Sequence, residues 1–199
     1  MRSKDEEVIT FEPGERYTFG VVADTHVPDR NISLHPAVIP TFRDARVSAI
    51  IHAGDIAVQS VLDDLGQVAR VIAVRGNRDW LLARTLPVSA RILIGGMEIG
   101  VAHGHGGLVQ YLVDKLAYLA HGYRAARYQS LVQRVFPRAS VVVYGHTHRP
   151  DCTTKDGCLY FNPGAAGSTP FWDQGSSVGL LEIGPDESIR TRIIPLSKF

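Results

Sequence analysis

Cysteine is scarce in this sequence, which has Cys152 and Cys158 as its two thiols among 199 residues. Two cysteines are too few for a disulfide scaffold, and the four ligands of a structural zinc knuckle are not found around them. The N-terminal segment is charged and lacks the apolar core of a signal peptide, and no apolar run reaches the length of a membrane span. We therefore expect reduced thiols and a cytoplasmic protein with no membrane partner.

A dominant charge of either sign is also lacking. The chain has 21 Lys and Arg residues against 20 Asp and Glu residues, for a formal net charge of +1. This balance creates no global field that would draw the protein to nucleic acid, so nucleic acid is not the expected partner. The length and the 45% hydrophobic content fit one folded domain. We place this domain at residues 17–199, after an N-terminal extension over residues 1–16.

Five short apolar runs predict buried strands. Each is rich in Val and Ile, as in strands that are covered on both faces. Segments with helical spacing at 35–45 and 58–67 alternate with them, which indicates an α/β fold with largely parallel strands. A further helical segment spans 108–136 with a break near Gly122, and the later turn-rich sequence predicts hairpin and edge strands of a second sheet. The five runs are YTFGVVA, VSAII, RVIAV, MEIGVA and SVVVY.

Each of the five predicted strands is followed immediately by side chains that can bind a metal ion. Because ligands of α/β folds bind beyond the carboxyl ends of the strands, we expect these side chains to converge at one edge. In the D-x-H and H-x-H pairs the partners are two residues apart, so an extended backbone would direct both to one side. The side chains are, in chain order, Asp24, His26, Asp55, Asn77, His103, His105, His146 and His148.

This set combines carboxylates, imidazoles and one amide, without a thiolate. The mixture suits Mn²⁺, Fe²⁺, Zn²⁺, Co²⁺ or Ni²⁺ better than Ca²⁺, which prefers oxygen ligands alone. The set is larger than one tetrahedral ion requires, so we expect two divalent transition-metal ions, with Mn²⁺ as the first choice. Two ions about 3.5–4 Å apart can share a carboxylate, which is an arrangement used for displacement at phosphorus.

The ordered motifs resemble those of the calcineurin-like metallophosphoesterase superfamily. Each motif alone is weak evidence, but five in order, each after a strand, are strong evidence. The later segment FNPGAAGS is similar to the NPGS-type segment of the small bacterial and archaeal phosphodiesterase branch. The resemblance implies a four-layer α-β-β-α sandwich, with two mixed sheets packed face to face and helices outside. The motifs are D-x-H at 24–26, G-D at 54–55, G-N-x-D at 76–79, H at 103 and G-H-x-H at 145–148.

The resemblance also implies how the two ions are held, with Asp55 as the bridging carboxylate. A water between the ions, deprotonated near neutral pH, would attack a phosphorus whose oxygens contact the metals. Asp79 resembles the family carboxylate that orients the groups around the ligands, a role that changes activity about tenfold to a hundredfold. The implied ligands are Asp24, His26 and His148 for one ion, and Asn77, His103 and His146 for the other.

Arg78 departs from the family pattern, in which many members have a histidine that resembles a general acid. Arginine cannot donate a proton near neutral pH, because its pKa stays above about 12. Its guanidinium can instead grip phosphate oxygens, or form a surface salt bridge with Asp79 or another acid. His105 is then the candidate for contact with the leaving group.

The leading hypothesis is a metal-dependent phosphodiesterase that acts on a small phosphoester, with nucleotides among the candidates. The alternatives are a nucleic-acid phosphodiesterase and a non-catalytic interaction scaffold, since the retromer scaffold subunit resembles this fold. Basic and aromatic residues in and after the 108–136 segment leave three interpretations open: a nucleotide or RNA face, a solvated helix surface, or a contact in a homo-oligomer. These residues are Arg124, Arg127, Arg134, Arg138, Tyr118, Tyr123 and Tyr128.

Overall fold

The computed structural model describes residues 5–29, 31–82, 85–106, 122–167 and 175–197. Within them, the strands are β1 (Glu6–Phe11), β2 (Tyr17–Val22), β3 (Ala49–His52), β4 (Val71–Ala73), β5 (Ser89–Ile94), β6 (Met97–Ala102), β7 (Val141–Val143), β8 (Asp151–Lys155), β9 (Cys158–Asn162), β10 (Ser177–Ile183) and β11 (Ile189–Pro195). The helices are α1 (Val38–Asp44), α2 (Gln59–Gly66) and α3 (Ala125–Val135).

Two mixed sheets pack face to face. The six-stranded sheet has the order β1-β5-β6-β7-β9-β8, and the five-stranded sheet has the order β11-β10-β2-β3-β4. Strands β2, β3 and β4 are parallel neighbours, as are β6, β7 and β9. Side chains alternate between the faces of each strand, so Phe19 and Val21 of β2 enter the core between the sheets while Val22 faces the other way.

Helices cover the outer faces of both sheets. Phe42 of α1 and Leu65 of α2 pack on the five-stranded sheet, and Val132 of α3 packs with Phe136 on the six-stranded sheet. The Phe136 ring lies directly on β6, where a Cβ at Gly100 would come within 2.3 Å of it. The predicted α-β-β-α sandwich of two mixed sheets is therefore confirmed.

The N-terminal segment contributes a strand to the sandwich. Strand β1 is the edge strand of the six-stranded sheet and pairs in parallel with β5, with Glu6 opposite Ser89. The prediction of an N-terminal extension over residues 1–16 is therefore corrected for residues 6–11. The edge position explains the error, because Glu6 is only half-buried and Val8 is exposed, so the strand lacks a continuous apolar run.

The distribution of the strands between the sheets also differs from the prediction. Strands β8 and β9 extend the sheet that contains β6 and β7, whereas β10 and β11 join β2. The late strands thus complete both sheets rather than forming a second sheet of their own. Pairing partners of this kind are set by tertiary packing, which apolar runs alone do not encode. The thiols of Cys152 and Cys158 are free, as predicted.

Helix α3 occupies residues 125–135 of the predicted helical segment at 108–136, and residues 107–121 lie outside the described part of the chain. Its arginines and tyrosines do not share one exposed face. Tyr128 is buried and stacks on Tyr123, whereas Arg124 and Arg134 are exposed. Among the described residues, no helix combines the length and the apolar character needed to cross a bilayer.

Candidate metal centre

The loops after β2, β3, β4, β6 and β7 meet at one edge of the sandwich. Backbone hydrogen bonds join them: Asp24 N donates to Gly54 O at 3.0 Å, and Gly145 N donates to His103 O at 3.2 Å. The first of these bonds links neighbouring parallel strands of one sheet, and the second does the same in the other sheet. The side chains predicted from the motifs therefore face a common cleft at the carboxyl ends of the strands.

The first ligand set consists of Asp24, His26 and His148. Nε2 of His148 lies 3.1 Å from Nε2 of His26 and 3.3 Å from Oδ1 of Asp24. Nε2 of His26 lies 3.9 Å from the same Oδ1. Ligand atoms that are each about 2.0–2.2 Å from one tetrahedral ion are separated by roughly 3–3.5 Å. Two of the three separations lie in this range and the third, at 3.9 Å, is slightly wider, so a small closure of the set would fit one shared cation.

Asp55 lies between the two predicted ion positions. Its Oδ2 is 3.8 Å from Nε2 of His26, and its Oδ1 is 3.4 Å from Nε2 of His103. The two oxygens of one carboxylate therefore face imidazoles that belong to different ligand sets. Asp24, Asp55 and His103 also bring one donor atom each within 4.8 Å of one another, so carboxylate oxygens occupy the middle of the cleft.

The second ligand set consists of Asn77, His103 and His146. Nδ1 of His103 donates to the carbonyl of Ala53 at 2.8 Å, which leaves the lone pair of Nε2 for an ion. Oδ1 of Asn77 lies 3.1 Å from that Nε2. The ring of His146 lies next to that of His103, with centroids 5.1 Å apart, but His146 is outside both groups of mutually close donors found in the described residues.

His105 stands beside this second set rather than within it. Its ring centroid is 5.4 Å from that of His103 and 6.3 Å from that of His146. Burial, together with the charge of His103, lowers the pKa of His105 to about 4. Its buried Nδ1 has no hydrogen-bond partner in the described part of the chain.

The ligand residues reach the cleft through left-handed backbone. The φ angles of Asp24, His26, Asp55, His146 and His148 lie between 51° and 68°. The prediction that extended D-x-H and H-x-H segments direct both side chains to one side is therefore wrong in its mechanism. Asp and His tolerate this conformation better than most residues, yet each such position is strained and persists because its surroundings fix it.

Two glycines permit the close approach of the loops. A Cβ at Gly76 would lie 2.1 Å from Oδ1 of Asp55, and one at Gly167 would lie 2.6 Å from the carbonyl of Thr25. Gly167 N also donates to Asp24 O at 3.1 Å, so the NPGAAG segment rests directly on the D-x-H loop. Any larger residue at these positions would push the ligand loops apart.

Asp79 fastens the loops around Asp55. Its carboxylate accepts hydrogen bonds from the backbone N–H groups of Asp55 at 3.0 Å and of Ile56, Ala57 and Gly76 at 2.7 Å each. With four donors and an exposed fraction of 2%, this carboxylate contacts the backbone that carries the ligands. The geometry fits the supporting role that the motif implied.

Arg78 points its guanidinium at Asp29 rather than at Asp79. Nη1 of Arg78 and Oδ2 of Asp29 form a short ion pair, in which both side chains are more than one-third exposed. The backbone N–H of Arg78 donates to Oδ1 of Asp55 at 2.9 Å. Residue 78 thus supports the centre through its main chain, while its side chain ties two surface loops together.

Two supporting side chains were not among the predicted site residues. Nδ1 of His52 accepts from Gly54 N at 3.3 Å, so its Nε2 carries the proton toward Oγ1 of Thr25 at 3.3 Å. Burial lowers the pKa of His52 to about 3, which keeps the ring neutral. Thr25 lies between the two ligands of the D-x-H motif, so its contact with His52 orients that loop. The position of His52 just before the G-D motif is the sequence feature that could have identified it as a supporting residue.

Asn162 supports the H-x-H loop in the same manner. Its Nδ2 donates to the carbonyl of Gly145 at 2.9 Å and to Oγ1 of Thr147 at 3.1 Å, and its Oδ1 accepts from Gly164 N at 2.9 Å. Asn162 begins the NPGAAG segment, so that motif contributes a supporting amide as well as its glycines.

The charge pattern of the centre suits cations. Burial opposes ionisation of Asp55 and Asp24, but the neighbouring imidazoles outweigh it and lower the pKa of both carboxyls. Burial also lowers the pKa of His103, but the Asp55 carboxylate opposes it and brings the pKa to about 9. For His146, burial and the charge of His103 outweigh the carboxylates of Asp24 and Asp55, and its pKa falls to about 3. Two ionised carboxylates in a buried cleft thus attract positive charge.

The residues present fit a metal ion. Oδ1 of Asp24 is buried and accepts no well-formed hydrogen bond from the described residues. Two imidazole nitrogens 3.1 Å apart, on His26 and His148, point at the same small space as that oxygen. A divalent cation would satisfy all three lone pairs at once, whereas protons would satisfy them only in part.

Comparison with known sequences agrees with this geometry. The calcineurin-like phosphoesterase superfamily domain matches residues 18–186. The chain belongs to this superfamily. A probable metallophosphoesterase of Methanocaldococcus jannaschii is 29% identical over 185 residues, which are 93% of this chain and 84% of the relative. A phosphodiesterase of the same organism is 27% identical over 157 residues, with 73% of this chain and 81% of the relative covered.

A solved structure shows the same fold. Vps29 of Entamoeba histolytica, crystallised in complex with Zn²⁺, has a TM-score of 0.66 and 23% sequence identity to this phosphoesterase domain. The superposition covers 89% of this chain and 98% of Vps29. This likeness concerns the sandwich, while the superfamily assignment rests on the sequence match.

Proposed function

We propose that the protein is a binuclear-metal-dependent phosphodiesterase that hydrolyses P–O bonds of small phosphodiesters. One observation carries the proposal: the two oxygens of Asp55 face Nε2 of His26 and Nε2 of His103, which belong to different ligand sets. A carboxylate in this position can hold two ions close together, as displacement at phosphorus requires. The phosphodiesterase relative supports the preference for diesters.

Each part of the centre has a distinct task in this proposal. The first ligand set would hold one ion, the second set would hold the other, and Asp55 would contact both. When bound, two Mn²⁺ ions, or Ni²⁺, Fe²⁺, Zn²⁺ or Co²⁺, make a water acidic enough to attack phosphorus near neutral pH and neutralise the phosphoryl oxygens. Asp79 fixes the backbone at Asp55 and at Gly76, which precedes Asn77, so that the ligands need not reorganise during the reaction.

The leaving group would receive little help from Arg78. Its guanidinium is engaged by Asp29, and it cannot release a proton near neutral pH. His105 lies beside His103 and His146, where it can donate a hydrogen bond to an ester oxygen. We therefore propose that favoured substrates have leaving groups that need little protonation, such as aryl or phosphoanhydride-linked groups.

The test compares a diester with a monoester on metal-loaded protein. With Mn²⁺, bis(p-nitrophenyl) phosphate should be hydrolysed faster than p-nitrophenyl phosphate. Asp55→Asn should lower kcat/KM by at least about a thousandfold, because ion-based stabilisation worth several kcal/mol is lost. Asp64→Asn, on the exposed surface of α2, is the matched control and should behave as the wild-type protein. Protein that carries two ions per chain and hydrolyses neither substrate would refute the function.

A non-catalytic interaction scaffold of the same fold is the second candidate. It is favoured by three exposed apolar side chains on loops that carry predicted ligands, because exposed apolar groups mark binding surfaces. These side chains are Ile32, Trp80 and Leu81. The metal content separates the candidates. A chain that is purified without ions and fails to bind added Mn²⁺ would be a scaffold, whereas tight uptake of two ions favours the enzyme.

A further inference from the structure

The loop after Asn77 exposes two large apolar side chains between buried neighbours. Trp80 is 83% exposed and Leu81 is 82% exposed, whereas Asp79 and Leu82 on either side are 2% and 6% exposed. Water is a poor environment for an indole, and most tryptophans in folded proteins are largely buried. We therefore expect a ligand to cover the exposed side chains of Trp80 and Leu81.

The loop itself is firmly held. The Asp79 carboxylate accepts four backbone hydrogen bonds at its start. Leu82 N donates to Asp79 O at 3.2 Å, and the Leu82 side chain packs in the core beneath the helices. The backbone is therefore anchored on both sides of the Trp80–Leu81 pair. An aromatic ring on anchored backbone is a suitable binding group, because the main chain that carries it need not be ordered when the ligand binds.

The position of the loop connects Trp80 to the metal centre. Trp80 is the third residue after Asn77, so the two Cα atoms are at most about 11 Å apart. The ion pair of Arg78 with Asp29 joins this loop to the loop after β2, where Ile32 is 99% exposed. Exposed apolar side chains thus stand on two loops that also carry predicted metal ligands.

A phosphodiester carries two organic groups, and the ligand sets account only for its phosphoryl centre. We propose that Trp80 binds a planar aromatic ester group of the substrate, such as a nucleobase or an aryl ring, by stacking. This inference rests on the proposed function and specifies its substrate class. The indole offers a flat π-surface, and stacking of a base on an aromatic side chain tolerates any base. Trp80 is thus a specificity-determining residue for diesters with a flat group within reach of the ions.

The test measures binding rather than turnover. Mn²⁺-loaded protein is titrated calorimetrically with adenosine 5′-monophosphate and with ribose 5-phosphate, which share the phosphate and the sugar but differ in the base. The wild-type protein should bind the adenine nucleotide about tenfold more tightly, the gain expected from one base stack. Trp80→Ala should reduce this ratio to near one, and Trp80→Phe should retain most of it.

Leu81→Ala is the matched control, because Leu81 has the same exposure on the same loop but no planar ring. It should leave the affinity ratio unchanged. If the ratio of the two affinities is the same in wild-type protein and Trp80→Ala, the inference about Trp80 is wrong. Diester hydrolysis by the same protein would still support the proposed function. If Trp80→Ala and Leu81→Ala both reduce self-association and leave the affinity ratio unchanged, Trp80 and Leu81 form a protein interface instead of a substrate contact. Protein that binds neither phosphate and hydrolyses no diester would remove both proposals together.

Discussion

The two ligand sets of the metal centre differ in the charge of their ligands. The first set contains the carboxylate of Asp24, whose pKa the neighbouring imidazoles lower, together with the imidazoles of His26 and His148. In the second set, the neutral amide of Asn77 lies 3.1 Å from His103, and the ring of His146 lies beside His103 at a centroid distance of 5.1 Å. The pairs of imidazoles are equally close in both sets, since the centroids of His26 and His148 are 5.0 Å apart.

The two ions should therefore bind with unequal affinity. An ionised carboxylate attracts a divalent cation more strongly than a neutral amide does, so the set with Asp24 should hold its ion more tightly. We expect stepwise loading, in which the ion of the first set binds first.

Removal of a ligand should have consequences that depend on the set. His26→Ala should lower kcat/KM by at least about a thousandfold and leave the protein unable to hold its tighter ion. His146→Ala should weaken the second ion alone, so that excess Mn²⁺ restores part of the activity. Elemental analysis of dialysed protein and activity against Mn²⁺ concentration measure both effects.

The control for these variants is His35→Ala, since His35 contacts the carbonyl of Ser197 at 2.9 Å, outside the ligand sets. It should retain wild-type ion content. If His26→Ala and His146→Ala respond identically to added Mn²⁺, the two sets are equivalent and the comparison fails.

Asp79 supports the shared ligand Asp55 and, through Gly76, the backbone next to Asn77 of the second set. Asp79→Ala would leave four backbone N–H groups without their acceptor, each at a cost of about 1–3 kcal/mol if buried. We expect the free energy of unfolding to fall by at least about 3 kcal/mol, with activity reduced about tenfold to a hundredfold in the folded fraction. Urea denaturation measures the loss of stability in Asp79→Ala, with Asp63→Ala as the control because Asp63 is exposed. Equal denaturation midpoints for the two variants would contradict the supporting role of Asp79.

The pH dependence of ion binding should report on the second set. Burial lowers the pKa of His103, but Asp55 outweighs it, so the pKa rises from 6.5 to about 9 in the metal-free protein. The raised pKa stabilises the fold below pH 6.5, and this contribution disappears as the pH increases through 9. An ion at Nε2 must displace that proton, so Mn²⁺ affinity should increase up to about tenfold per pH unit in this window.

Titration calorimetry in two buffers with different ionisation enthalpies would detect the proton released near pH 7. His103→Gln should reduce that release by the share of the imidazole, while any proton lost by a metal-bound water remains, and His35→Gln should preserve the release in full. Proton release that is identical in His103→Gln would assign the titrating group elsewhere.

The smallest effect is expected at Arg78. Its ion pair with Asp29 is more than one-third exposed, so Arg78→Ala should change the free energy of unfolding by less than about 1 kcal/mol. Arg78→His places an ionisable ring beside the cleft and should raise the rate for poor leaving groups relative to good ones. An unchanged ratio would show that this side chain does not reach the leaving group.

The convergence of the ligands could be predicted from the sequence because it depends on position alone. Asp24, Asp55 and His103 each follow a buried strand, and strands of this fold class end at a common edge. Asp79 could be placed as a supporting carboxylate by its motif, although its four backbone donors could not be foreseen. Those donors come from two loops, and their meeting depends on tertiary packing.

The backbone conformation that directs the ligand side chains into the site could not be predicted. Left-handed φ angles at Asp24, His26 and His148 arise from contacts with other loops, which no local propensity encodes. The same holds for β1, since an exposed edge strand with Glu6 and Val8 lacks the apolar pattern of a buried one. The ion-pair partner of Arg78 could likewise not be predicted, because Asp29 is distant in sequence and adjacent only in the fold.

The contact between the NPGAAG segment and the D-x-H loop has a consequence for protein synthesis. Ala166 N donates to Ala23 O at 2.9 Å, and β10 pairs with β2, so the first ligand loop is buttressed by residues made much later. A chain emerging from the ribosome carries Asp24 and His26 long before their support exists. Ion capture by this loop should therefore be among the last events of maturation.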